Sequence, residues 1–334
     1  MKRYYDVLAL LGLILVRGLS FPAFEFGLDA FPVLMLTAFR LDIAAIVLFG
    51  YVLATNTDWR PTTRGDYIAI GSGGIVAFAL ANGLWSMGQE MTTATFAGLM
   101  AGLVPITTAG FSWVLLPRDR LSPLGVVGLG VGFGGAMILM LPEGGLHFSP
   151  TLVGKLLVFA GVTAAGLGGV LIRWATPSLP ASSQVAWAIS IGAVLIHATS
   201  VAVGESFAAV HLTPTGIGAV LFLGVGVSAF GRVLTFWLLG RRSAIEISLT
   251  SYPAPVIAAV TGWLLFGDEL TGRMAVGFGV VVVGFALIKR EALRRELHRL
   301  TGSRGDEPRS TDPSPGDGAV AEDTPSECRS SGDS

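Results

Sequence analysis

Ten apolar segments run almost end to end through the first 290 residues, and they leave the chain little choice of solvent. They cover roughly residues 7–27, 32–53, 67–88, 93–116, 122–141, 151–173, 184–204, 214–238, 244–266 and 272–289. A helix needs about 20 apolar residues to cross the ~30 Å hydrocarbon core, and these segments have that length. Barrel strands would be shorter and would alternate polar with apolar. The breaks are brief and polar, or rich in Pro and Gly: Asp29, Asn56-Thr57-Asp58, Gln89-Glu90, Arg118-Asp119-Arg120, Pro142-Glu143-Gly144-Gly145, Pro177 to Pro180, Glu205, Arg241-Arg242 and Gly267-Asp268-Glu269. The expected fold is an all-α membrane protein with ten transmembrane helices. Composition agrees, since 13% of the 334 residues are charged, against about a quarter in soluble domains.

Lys and Arg set the expected orientation, because short cytoplasmic loops retain them. With the N-terminus inside, Lys2, Arg3, Arg60, Arg64, Arg118, Arg120, Arg173, Arg241 and Arg242 fall on the inner side. Lys289, Arg290, Arg294, Arg295 and Arg299 join them at the C-terminal flank, while Lys155 and Arg273 fall outside. An even number of spans keeps both termini cytoplasmic, with the chain in the plasma membrane. The run from Val7 to about Leu28 lacks a small-x-small cleavage site and reads as an uncleaved first span. After residue 300 the chain is rich in Ser, Asp, Gly, Glu and Pro, and is expected to be disordered. Just before it, Leu293, Leu297 and Leu300 share a helical face amid Arg294, Arg295 and Arg299. That stretch is either an amphipathic helix on anionic lipid of the inner leaflet or an extension of the tenth span.

The net charge of −1 offers no basic surface to phosphates, so no nucleic-acid partner is expected. Cys328 is the only cysteine, which rules out an internal disulfide or a thiolate metal cluster. There is no His-Glu-x-x-His, no Walker loop, no Cys-x-x-Cys and no Gly-x-Ser-x-Gly. No catalytic residue, metal or cofactor is expected, and the chain is read as a non-enzyme.

The chain also repeats itself. At a shift of 150, Pro105 falls on Pro255, Trp113 on Trp263 and Leu115 on Leu265. At 149, Leu121 falls on Leu270, Val127 on Val276, Gly128 on Gly277, Gly130 on Gly279, Val131 on Val280 and Gly135 on Gly284. At 148, Gly18 falls on Gly166 and Leu19 on Leu167. The expected domains are a five-helix repeat at residues 1–145, a second at 146–290, and a tail at 291–334. An odd number of spans per repeat makes the second copy enter the membrane the opposite way up, the architecture of secondary transporters. The stretches Thr92–Gly135 and Ala244–Gly284 resemble the two EamA domains of the drug/metabolite transporter superfamily, and the resemblance extends over about residues 7–290. It implies a ten-helix exporter or permease for small metabolites such as amino acids. Glu25 stands where that family often has Lys or Arg, Arg173 fills the equivalent place in span six, and Arg232 replaces a more usual aromatic residue.

Ionised groups deep in a membrane are costly and need a reason. Arg17 and Arg40 lie near the midplane of spans one and two, and Arg232 nearer the inner end of span eight. Each either binds an anionic group such as a substrate carboxylate, or serves structure, through an ion pair with Asp42, Glu25 or Glu90 or by snorkelling. Polar residues at helical spacing mark further faces: Asn82, Trp85, Ser86 and Gln89 on span three, and Ser183, Trp187, Ser190 and His197 on span seven. Ser228, Arg232, Thr235 and Phe236 mark span eight. These stripes either line a cavity or bond to neighbouring helices. The candidate substrate-binding set is Arg17, Arg40, Asn82, Trp85, Gln89, Trp187 and Arg232, with Glu25, Asp42 and His197 as candidates for proton coupling. Gly128 with Gly132, and Gly130 with Gly134, are expected to let backbones approach, within a monomer or across a homodimer. Pro105 and Pro255 are expected to kink their helices. The leading function is secondary transport of a small-molecule substrate by alternating access. An intramembrane enzyme, a non-transporting scaffold and a passive channel are the alternatives.

Overall fold

A computed structural model describes residues 2–55, 57–117, 119–141, 149–239, 241 and 250–290. Arg118, Glu143, Arg242, the start of the ninth apolar segment (244–249) and everything beyond 290, including the Leu293–Leu300 stripe and Cys328, lie outside the described residues. Among the described residues there is no strand. The chain forms α1 (Lys2–Leu28), α2 (Val33–Ala54), α3 (Arg64–Glu90), α4 (Ala94–Leu115) and α5 (Pro123–Met140). It continues with α6 (Pro150–Trp174), α7 (Ala181–Ala202), α8 (Pro214–Leu238), α9 (Pro253–Phe266) and α10 (Gly272–Ile288). Eight of these are long and apolar enough to cross a membrane, and α9 and α10 are shorter apolar helices.

The helix starts follow from local chemistry. Thr63, Thr93, Ser122, Ser149, Thr213 and Thr271 each accept a hydrogen bond from a first-turn N–H, satisfying a donor that the helix leaves orphaned. Pro123, Pro150 and Pro214 sit in the first turn, where a missing N–H costs nothing. Pro105 and Pro255 are placed the same way. α4 is interrupted at Gly102-Leu103 and resumes at Val104, and α9 opens on Pro253, so both prolines lie at helix starts instead of bending a continuous helix. Acidic side chains pin other ends. Glu205 accepts from Leu34 N and Met35 N, both at 2.9 Å. Asp66 accepts from Ser178 N and Leu179 N, both at 2.8 Å.

The described residues fold as one unit in which the two halves interleave. Packing between helices comes in repeat-related pairs: α1 on α9 matches α6 on α4, α2 on α8 matches α7 on α3, and α1 on α8 matches α6 on α3. Individual contacts follow suit. A Cβ at Gly18 would meet Ile257, and one at Gly166 would meet Thr107; a Cβ at Gly74 would meet Ile191, and one at Gly224 would meet Ile43. α5 and α10 cross antiparallel with backbones in contact, since Gly128 lies against Gly284 O and Gly135 against Gly277 O. Gly132 packs on Ile106, but Gly130 and Gly134 face open space, so the expected close approach holds on one face of α5 and not on the other. α2 and α7 also run antiparallel, with Asp42 beside His197 and Phe49 beside Trp187.

One apolar cluster gathers around α2, α7 and α8, a second around α4, α5, α6, α9 and α10. Two π-helical stretches interrupt the bundle, Gly73–Leu80 within α3 and Phe222–Phe230 within α8. They fall at the same place in the repeat. Wide π turns are uncommon and concentrate at functional sites.

Candidate functional site

The π stretches deliver the polar faces of α3 and α8 to one another. Asn82 follows the first directly, and its Nδ2 donates to Ala77 O (3.2 Å) and Phe78 O (2.9 Å), which fixes the amide. Its Oδ1 then accepts from Arg40 Nη2 at 2.5 Å. The repeat equivalent of Asn82 is Arg232, just after the second π stretch, and its guanidinium lies over the Phe78 ring, 4.6 Å from the centroid. Trp85 and Ser86 correspond likewise to Thr235 and Phe236.

These faces, with α1 and α2, enclose a cavity of about 340 Å³. Arg17, Arg40 and Arg232 all line it. Arg17 Nη1 donates to Thr250 Oγ1 (3.3 Å) and Ser251 Oγ (3.1 Å), and Arg40 lies over Phe24, 5.8 Å from the ring centroid. No Asp or Glu among the described residues lines the cavity. Among the described residues, none of the three guanidinium groups has a carboxylate within ion-pair distance. Nε of Arg40 and Nε of Arg232 are buried without a partner. Ion pairs of these arginines with Asp42, Glu25 or Glu90, the structural alternative, are therefore absent among the described residues.

Six of the seven candidate binding residues thus share one cavity: Arg17, Arg40, Asn82, Trp85, Gln89 and Arg232. Trp187 does not line it. Its Nε1 donates to Trp59 O at 2.8 Å and its ring stacks on Trp59. Ser183 on the same stripe donates to Asp58 O at 2.6 Å, and His197 pairs with Asp42 at 2.7 Å. The α7 stripe serves helix and loop contacts. Of the coupling candidates, Asp42 and His197 are tied to each other, while Glu25 accepts from cavity-lining Gln89, whose Nε2 is shared between Glu25 Oε1 and Phe21 O, both at 3.1 Å. Phe78 and Ser251 went unread in the sequence. Phe78 sits in a uniformly apolar run, and only the guanidinium above it distinguishes it.

The EamA-like transporter family model matches this chain twice, at residues 5–141 and 152–290. An uncharacterized transporter of Bacillus subtilis, YvbV, is 24% identical over 84% of this chain and 90% of its own length. A probable terminal-alkyne amino-acid exporter of Streptantibioticus cattleyicolor is 24% identical over 91% of this chain and 100% of its own. Among solved proteins, one crystal structure is similar with a TM-score of 0.63 at 23% identity, covering 88% of this chain and 99% of that one. That likeness speaks for the fold alone.

Proposed function

The chain belongs to the EamA-like transporter family, and on that premise we propose that it is a secondary transporter of a small solute bearing an anionic group, working by alternating access in the cytoplasmic membrane. The observation that carries this reading is the cavity of about 340 Å³ with three arginines and, among the described residues, no acid in its wall. A cluster of positive charge inside a bilayer protein is costly unless a ligand uses it. Arg17, Arg40 and Arg232 supply the positive potential, Asn82 and Gln89 the fixed dipoles, and Trp85 an apolar wall. In this reading the halves cross the membrane in opposite senses with both termini cytoplasmic. The antiparallel crossings of α5 with α10 and of α2 with α7 support it. Two halves of like packing have two tilts of similar energy, and exchange between them opens the shared cavity to each side in turn. Glu25, bonded to Gln89, is the coupling candidate in touch with the site.

Reconstituted in liposomes, the full chain should move a labelled anionic solute saturably and without ATP. Arg40→Gln and Arg232→Gln should each lower the rate at least tenfold while the protein still inserts; wild-type rates in both variants would sink the proposal. Cys328→Ser gives a cysteine-free background. In it, Arg120→Cys and Glu269→Cys should be labelled from opposite sides of the membrane, and labelling from one side would remove the inverted arrangement.

A further inference from the structure

The balance of charge in the cavity says more about its ligand than that it is an anion, on the reading that the cavity is the transport site. Three guanidinium groups carry three charges at every accessible pH. Their protein partners among the described residues are neutral: two hydroxyl groups, one amide oxygen and two aromatic rings. Much of their donor capacity is unused. Arg17 spends one nitrogen on Thr250 and Ser251, and Arg40 spends one on Asn82. Arg232 makes no hydrogen bond to a described residue, and buried Nε groups stand idle on both Arg40 and Arg232. A monocarboxylate has two oxygens and one charge. It would leave two cations facing each other across a low-dielectric space.

The same inventory argues against a zwitterion. An ammonium group is best met by a carboxylate, and among the described residues no Asp or Glu lines the wall. Asn82 Oδ1 is already taken by Arg40, and the ammonium would sit among three like charges. The hydroxyl groups of Ser20 and Thr235 donate to Arg17 O and Gly231 O and so carry no negative charge to offset an ammonium. We infer that the cavity takes a compact solute with at least two negative charges and no cationic centre, a phosphomonoester or a dicarboxylate, in preference to an amino acid. Arginine forks match the planar or tetrahedral oxygen sets of both groups.

The test separates ligand from flux. Purified full-length protein is titrated with glycerol phosphate, succinate, lactate and serine at constant ionic strength, and binding is read from tryptophan fluorescence and from thermal shift. Glycerol phosphate or succinate should bind at least tenfold more tightly than lactate or serine, and which of the two leads identifies the anion. The preference should shrink at least tenfold in Arg232→Gln and in Arg17→Gln, so that one misfolded variant does not decide the outcome. Trp187→Phe, outside the cavity, should keep it. Serine or lactate binding as tightly as the dianions, or no probe binding, overturns the inference. Saturable serine flux in liposomes without dianion binding would overturn it while leaving transport intact. Dianion binding with no flux of any probe would uphold it and remove the transport reading instead.

Discussion

A single methyl group on α5 tests how closely the two halves approach. A Cβ added at Gly135 would lie 2.7 Å from both Gly277 O and Val281 N. Those are backbone atoms of α10 and cannot rotate away. Comfortable contact between heavy atoms begins near ~3.5 Å, so the helices must part by close to ~1 Å at this crossing. Overpacking of that order costs about 1–3 kcal/mol. The gain in helix propensity from Gly to Ala, up to ~1 kcal/mol, works the other way. Gly134→Ala supplies the control, because its Cβ meets no heavy atom within 4 Å and it shares the propensity gain. The difference between Gly135→Ala and Gly134→Ala therefore isolates the clash. Adding Gly128→Ala, whose Cβ would lie 2.6 Å from Gly284 O, should cost less than the sum, since one separation relieves both contacts. The assay is heating in detergent followed by size-exclusion chromatography. At about 2–4 °C per kcal/mol, Gly135→Ala should lose its monodisperse peak several degrees below Gly134→Ala. Equal midpoints for the two variants would refute the backbone contact between α5 and α10.

Glu205→Ala strips the first turn of α2 of both its acceptors and should cost about 1–3 kcal/mol, with Glu205→Gln milder because it keeps an oxygen; the same melting assay checks it, and equal losses would contradict the capping role. Arg173→Ala breaks an exposed 2.8 Å pair with Asp119 and should change stability by less than about 1 kcal/mol. A larger drop would show that pair to be a structural tie. Trp85→Leu should weaken ligand binding severalfold while Trp187→Phe does not, and the opposite order in a fluorescence or thermal-shift titration would place the site on α7 instead.

The spans and their repeat were legible because lipid imposes them: an apolar run of about 20 residues has few other uses. The convergence of Arg17, Arg40, Asn82, Trp85, Gln89 and Arg232 was legible because ionised and polar groups in such runs must turn inward. The pairing within the site was not. Nothing in Gly73–Leu80 or Phe222–Phe230 marks a π turn, which adds a residue to the helix without a polar signature. The partners of the α7 stripe were not legible for a related reason. Periodicity tells which residues share a face but not what that face meets, and here Trp187 and Ser183 meet the loop carbonyls of Trp59 and Asp58. Gly130 and Gly134 repeat the four-residue spacing of Gly128 and Gly132 on a face that packs against nothing described.

Equivalent positions in the two halves divide into two kinds, those where helices pack and those that face the cavity. Where helices pack, the equivalents are the same residue: Gly18 and Gly166, Gly74 and Gly224, Gly128 and Gly277, Gly135 and Gly284. Each half must make the same close approaches, and a side chain at any of these sites would meet atoms under 3 Å away. Where α3 and α8 face the cavity, the equivalents differ: Asn82 and Arg232, Trp85 and Thr235, Ser86 and Phe236. Both copies of the face line the same cavity. Identical linings would surround that cavity with two like poles. Divergence at these three pairs instead sets the Arg232 charge beside an aromatic wall, while the paired glycines hold equivalent helices at the same close approach in both halves.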